Sequence, residues 1–224
     1  PSTTVEKIDQ RVLFVDRENK NALLKSMLED ATIERALIFA RTKHGANKIV
    51  KNLSKSKIKA DAIHGNKSQS ARIDALNKFK TGKVRVLVAT DIASRGIDVD
   101  GITHVINYEL PNEPESYVHR IGRTARAGAT GMALSLCDLG ELGYLKRIEQ
   151  ATNKTVAVEA DHIYHSESIA SKRGRSFGSK PKSTQRKRNF GYRPASGKNS
   201  RPAARNGRPQ RGNAQRSRRT AGNS

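Results

Sequence analysis

The front of the chain alternates between two hydrophobic periods. Arg11-Val12-Leu13-Phe14-Val15 is a short apolar run that predicts a buried strand, and Leu23, Leu24, Met27 and Leu28 follow at the i, i+1, i+4, i+5 spacing of a helix. The pairing then repeats. Residues 36–40 predict a second strand, Thr42 suits the N-cap of a helix, and Ala46, Ile49, Val50 and Leu53 form its apolar stripe. Residues 58–63 predict a third strand, followed by a helix over 68–80 with Ile73, Leu76 and Phe79 facing inward and Gly82 ending it. Residues 84–89 and 103–107 read as strands, and Pro114 suits the first turn of the helix after them. A strand over 131–137 and a helix over 139–150 complete the pattern. Strands separated by helical stretches of about 10–15 residues predict β-α-β units. The expected fold class is therefore α/β, an open parallel sheet with helices on both faces. Ligands of such sheets collect at the carboxyl ends of the strands.

Past Ile169 the periodicity stops. Residues 171–224 are mostly Arg, Lys, Ser, Gly, Asn, Pro and Ala, with Phe177, Phe190 and Tyr192 as the large apolar groups. Such a composition buries too little to offset chain entropy, so a disordered basic tail is expected there. The expected organisation is a domain over 1–160, a linker over 161–170 and a tail over 171–224. Charge sharpens this division. The formal net charge is +22, from 43 Lys+Arg against 21 Asp+Glu. Seventeen of the basic residues and none of the acidic ones lie at 171–224, leaving the front close to balance at +5. A charge of this sign and placement points to nucleic acid, and the Arg-Gly and Arg-Pro steps suit a flexible segment that tracks a nucleic-acid backbone. The alternative for the tail is a solubilising linker.

Cys137 is the single cysteine, which allows no intrachain disulfide and fits a reducing compartment, with a buried thiol as its expected state. No apolar run approaches the roughly 18 residues needed to span a bilayer, so a cytoplasmic protein with no membrane partner is expected. The first residue is Pro1 rather than Met, which suggests a piece of a longer protein. No His or Cys cluster has metal-ligand spacing, so no metal site is expected.

The candidate chemistry lies in two stretches, 89–98 and 119–126. Arg120, Arg123 and Arg126 recur at i, i+3 and i+6, within about two helical turns, and so are expected near one face. Guanidinium groups grip phosphate bidentately and stay charged, so such a fork suits a polyanion whose charge grows during a reaction. For a lone helix the simpler reading is a solvated basic face.

Four motifs raise the fork above that reading. Phe39-Ala40-Arg41-Thr42, Gln69-Ser70-Ala71-Arg72, the run from Ala89-Thr90-Asp91 to Arg95-Gly96-Ile97-Asp98, and His119-Arg120-Ile121-Gly122-Arg123-Thr124-Ala125-Arg126 resemble, in order and spacing, the second RecA-like domain of DEAD-box ATP-dependent RNA helicases. The resemblance covers about residues 5–158 and is greatest to the bacterial RhlE-type group. It departs from the family at Ala125, where glycine is usual; alanine is small enough for the fork to survive. The resemblance implies a RecA-like sheet forming one wall of a cleft, with ATP, Mg²⁺ and RNA bound against an N-terminal RecA-like domain that holds most of the Mg²⁺ ligation. It implies that Arg123 and Arg126 act as arginine fingers on the phosphates, Arg126 nearest the γ-phosphate, and that Asp98 accepts hydrogen bonds from the ribose hydroxyls. His119 and Arg120 would touch the partner domain and couple hydrolysis to closure, while Thr42, Gly65, Arg72, Thr90 and Arg95 would face RNA. Hydroxyls, glycine-freed amides and arginines suit a sugar-phosphate backbone and read no base identity.

Missing motifs limit what the chain does alone. Gly65-Asn66-Lys67-Ser68 ends like a phosphate-binding loop, but position 60 is alanine where that loop needs its first glycine, and no Asp-Glu-Ala-Asp run occurs. The fragment alone is therefore expected neither to hydrolyse ATP nor to unwind RNA. The rival expectation is an ATP-independent nucleic-acid-binding or annealing module built on the basic tail, and a related one is a DNA helicase of the same superfamily.

Overall fold

Period-two alternation decides how the strands divide their side chains. In the computed structural model, which describes residues 7–94, 97–126 and 130–173, Ala36 and Ile38 point to one side of strand β2 (Ala36–Phe39) while Leu37 and Phe39 point to the other. The strands are β1 (Ile8–Phe14), β2, β3 (Ala60–Ile63), β4 (Val86–Ala89), β5 (His104–Asn107), β6 (Gly131–Cys137) and β7 (Ala157–Val158). They form one seven-stranded sheet in the order β3-β4-β2-β5-β6-β1-β7, and the neighbouring strands all run parallel. This is the expected open parallel α/β sheet.

Helices α1 (Lys20–Glu29) and α2 (Lys43–Lys55) cover one face through Leu23, Leu24, Leu28, Ala46, Ile49 and Leu53. The other face lies under α3 (Gln69–Lys80), α4 (Asp91–Ser94), α5 (Pro114–Ile121), α6 (Leu142–Thr152) and α7 (Glu167–Arg173). Thr42 caps α2 by accepting from the Gly45 amide at 3.0 Å, and Ser68 caps α3 by accepting from Ala71. Gly82, at φ +74, lets the chain leave α3. Ile73 departs from the expected stripe. It is 49% exposed, and Ala75 takes the inward place beside Phe79.

The stretch expected as a linker, 161–170, is part of the folded sheet edge. Strand β7 pairs with β1, His165 bridges Val15, the Ser166 amide donates to Phe14 at 2.9 Å, and Ile169 is buried. Arg11 ties this strap down through Glu159 at 2.5 Å. Without this strap β1 would be an edge strand with unpaired backbone groups, and covering them satisfies those groups and blocks edge-to-edge association. The basic segment 174–224 lies outside the described residues, as does Arg95. Cys137 is buried as expected, and burial pushes its thiol pKa up. Among the described residues, no helix is long and apolar enough to cross a membrane.

Candidate functional site

Four loops leave the carboxyl ends of β2, β3, β4 and β5, and they bring the candidate residues together. Thr42 follows β2, Gly65 follows β3, Thr90 follows β4, and α5 returns from β5 to present His119 and the arginines. Thr90 accepts from the Ser94 amide through its backbone oxygen and so opens α4. Arg72 sits on the first turn of α3, bonded to Gln69 Oε1 at 3.3 Å, with its Nε buried and without a partner. A Cβ added at Gly65 would meet nothing within 4 Å, so the backbone there is open to an approaching ligand.

The three arginines do not share a helix face. Helix α5 stops at Ile121 with Gly122 as its C-cap, and the i, i+3, i+6 spacing loses its meaning beyond that point. Arg120, in the last turn, is 1% exposed. Its Nε and Nη2 hold the Asp91 carboxylate at 2.5 and 2.8 Å. Its Nη1 donates to Asn107 Oδ1 at 3.1 Å and to the Glu109 carbonyl at 2.7 Å, and its guanidinium lies over the Phe39 ring at 5.0 Å. The expected fork, and the expected contact of Arg120 with a partner domain, are therefore corrected. Arg120 is an internal tie joining α5 to the ends of β2, β4 and β5. His119, one position earlier, is exposed.

Arg123 and Arg126 lie in the turn after α5, beside Asp98. Arg126 Nη1 donates to Asp98 Oδ1 at 2.8 Å and its Nε to the Gly122 carbonyl at 3.3 Å, while Arg123 Nη1 donates to the Ile97 carbonyl at 3.1 Å. Asp98 keeps its side chain 89% exposed. Burial, and then the charge of Arg126, lower the Arg123 pKa, so an anion placed here would favour its charged form. Asp98 supplies carboxylate oxygens for hydroxyl donors. This donor set fits a nucleotide: cations for phosphates and an exposed acceptor for a ribose. Among the described residues no three His, Cys, Asp or Glu side chains are grouped to hold an ion.

The turn is clamped from behind. Thr124 donates its hydroxyl to the Ile102 carbonyl, and Gly131 runs so close that an added Cβ would overlap Thr124 Oγ1 and the Ala125 amide nitrogen. Ala125 is held at φ +53, in the left-handed region where glycine is at ease. The usual glycine at this position thus has a backbone reason that the reading based on side-chain size missed.

Sequence reasoning also missed a second buried cluster. Lys20 pairs with Glu141 and with Asp138, the latter at 3.2 Å, and donates to the Tyr108 carbonyl at 3.2 Å. Glu141 also accepts from the Leu110 amide at 3.1 Å and lies 3.5 Å from Arg41. Burial pushes the Glu141 pKa up against the opposing pull of Lys20, and burial pushes Tyr108 up to about 12. This cluster ties the β1, β5 and β6 ends together. Its acidic half is a local capping box of Asp138 and Glu141, but Lys20 lies 121 residues from Glu141, so no local pattern announces the ion pair.

Comparison with known proteins follows this geometry. Residues 19–128 match the helicase conserved C-terminal domain family. Over 147 residues the chain is 45% identical to the ATP-dependent RNA helicase CshA of Listeria monocytogenes, covering 66% of this chain and 28% of that protein. Over 151 residues it is 45% identical to the DEAD-box ATP-dependent RNA helicase CshA of Bacillus subtilis, covering 67% and 31%. The chain thus spans less than a third of these relatives. Among solved structures it resembles the E. coli DEAD-box protein SrmB bound to regulator of ribonuclease activity A, with TM-score 0.66 and 31% identity over 71% of this chain and 95% of that one. It also resembles a DEAD box protein from Methanococcus jannaschii, with TM-score 0.66 and 39% identity over 70% of this chain and 43% of that one. Four ordered motifs on a parallel sheet, paired cations beside an exposed carboxylate, and near-complete coverage of the SrmB chain agree, and the chain belongs to the DEAD-box family as its helicase C-terminal, RecA-like domain.

Proposed function

We propose that the chain is the second domain of a bacterial DEAD-box ATP-dependent RNA helicase of the cytoplasm, and that it forms one wall of a cleft closed by an N-terminal RecA-like domain. The observation that carries this reading is the set Asp98, Arg123 and Arg126. Two cations in the turn after α5 stand beside an exposed carboxylate from the loop after α4, with Arg126 2.8 Å from Asp98. In the resting domain Arg126 is paired with Asp98 and Arg123 donates to the Ile97 carbonyl. When ATP is bound, Asp98 accepts from the ribose hydroxyls and the two arginines turn to the phosphates, Arg126 toward the γ-phosphate. They stabilise charge that grows as the phosphoryl bond breaks. His119, exposed at the end of α5, contacts the other domain. Arg120 acts through Asp91 as a positioning residue, fixing the turn that aims the two fingers. Thr42, Gly65, Arg72, Thr90 and Arg95 hold the RNA backbone, and the 171–224 tail adds non-specific affinity for it. Mg²⁺ enters with ATP and is held mainly by the N-terminal domain. Alone, the fragment is inactive. The relatives above carry the CshA name, so the RhlE-type assignment rests on motif resemblance only.

The deciding experiment is RNA-stimulated ATPase of the two-domain chain with Arg126→Ala. Loss of an arginine finger lowers kcat by about 10³-fold or more. Retained hydrolysis refutes the finger assignment. RNA binding and annealing unaffected by ATP in the parent chain favour the ATP-independent module instead, and matched RNA and DNA strands separate the helicase classes.

A further inference from the structure

A cavity of about 540 Å³ at the carboxyl ends of the strands is lined by residues that follow β1, β2, β5 and β6, among them Arg17, Asn21, Thr42, Gly45, Lys48 and Tyr108. Three acids also line it, and two are already engaged: Asp138 by Lys20 at 3.2 Å, and Glu109 by the Arg41 amide at 2.8 Å. Glu18 is the third. Arg17 and Lys48 are exposed and have no ion-pair partner among the described residues. The cavity therefore presents two free cations and a hydroxyl.

Helix α2 continues that chemistry away from the cavity. Its 13 residues include four lysines and no acid. At 100° per residue, His44, Lys48, Lys51 and Lys55 fall within roughly 60° of one another and span about 16 Å along the axis. All four are exposed. Asn52, beside this stripe, is bonded to Asn21 at 3.1 Å, which holds α2 against α1 at the cavity wall. Unpaired lysines spaced along one face match a run of phosphates better than a single compact anion, and a lysine takes a phosphate as a point charge without reading sequence.

We infer that this cavity and the α2 lysine face form an extension of the RNA track, carrying the sugar-phosphate backbone of the strand beyond the segment held by Thr42, Gly65, Arg72 and Thr90. Thr42 belongs to both sets, so the strand that meets its loop continues onto Lys48 and then along Lys51 and Lys55. The inference rests on the proposed RNA-binding role. It adds a direction for the strand and implies that longer RNA binds more tightly than RNA confined to the core footprint.

The test is binding of the full chain to fluorescent poly-uridine of about 20 nucleotides, longer than the site of a single small module, followed by anisotropy over a salt series. Each phosphate contact on single-stranded nucleic acid contributes about 0.7 to the slope of log affinity against log salt. Lys48→Gln with Lys51→Gln and Lys55→Gln lowers that slope by about 2 and weakens binding at low salt by at least about tenfold. A control carrying Lys146→Gln, Lys154→Gln and Lys172→Gln loses the same charge from another part of the surface and keeps most of the slope. Glu18→Gln strengthens binding. An unchanged slope in the α2 variant, or an equal loss in the control, overturns the inference while leaving the RNA-binding role intact. Failure of the parent chain to bind the oligonucleotide overturns both.

Discussion

Arg120→Ala separates a structural tie from a cleft residue, and the size of its effect follows from the geometry. The side chain is 1% exposed and makes two charge-assisted bonds to Asp91, one to Asn107, itself fully buried, and one to the Glu109 carbonyl. Breaking a buried ion pair costs about 3–5 kcal/mol, mainly through the groups left behind. Here Asp91 is 38% exposed and rehydrates, while the Asn107 and Glu109 oxygens lose a donor in a place water reaches poorly. The lower end, about 3 kcal/mol, is expected. For a chain of this size each kcal/mol moves Tm by about 2–4 °C, so a drop of about 6–12 °C is expected. Arg120→Lys keeps the charge but not the bidentate fork, and about half that loss is expected from the geometry. Urea and thermal unfolding followed by circular dichroism check both. If Arg120→Ala unfolds within about 0.5 kcal/mol of the parent, as exposed substitutions do, the buried-tie reasoning is wrong.

Ala125→Gly relieves a left-handed alanine at φ +53 and raises stability by about 1 kcal/mol, net of glycine's greater chain entropy; a lower Tm contradicts this. Asp98→Ala removes an ion pair whose carboxylate is almost fully exposed, so stability moves by less than about 1 kcal/mol, whereas KM for ATP in the two-domain enzyme rises; an unchanged KM sinks the ribose role. Burial lowers the His104 pKa below its ordinary 6.5, so the unfolded chain takes the proton first. Its contribution is present above pH 6.5 and is lost as pH falls through 6.5 toward the lowered value. Melts at pH 7.5 and 5.5 should show this decline, and His104→Gln should flatten it; an equal decline in the variant assigns it to other groups.

Local periodicity was enough to set the α/β class, the order of the elements and most inward positions, because burying one face of a strand or helix is a local demand repeated every two or 3.6 residues. It was enough for the Thr42 cap as well, whose bond spans three residues. Ile73 shows its limit: an apolar residue at helical spacing points outward when a smaller neighbour fits the sheet better. The strap over 157–173 escaped notice because it packs through few apolar residues on an edge that only the completed sheet creates. The division of the arginines is the clearest case. Sequence established that Arg120, Arg123 and Arg126 stand at regular intervals near a carboxylate motif. Only the tertiary structure could decide that the helix ends between the first and the second. It brings Asp91 and Asn107 under Arg120, and it leaves Arg123 and Arg126 around Asp98. A guanidinium's role depends on which oxygens come within about 3 Å of it, and chain folding sets those distances between residues that are far apart in sequence.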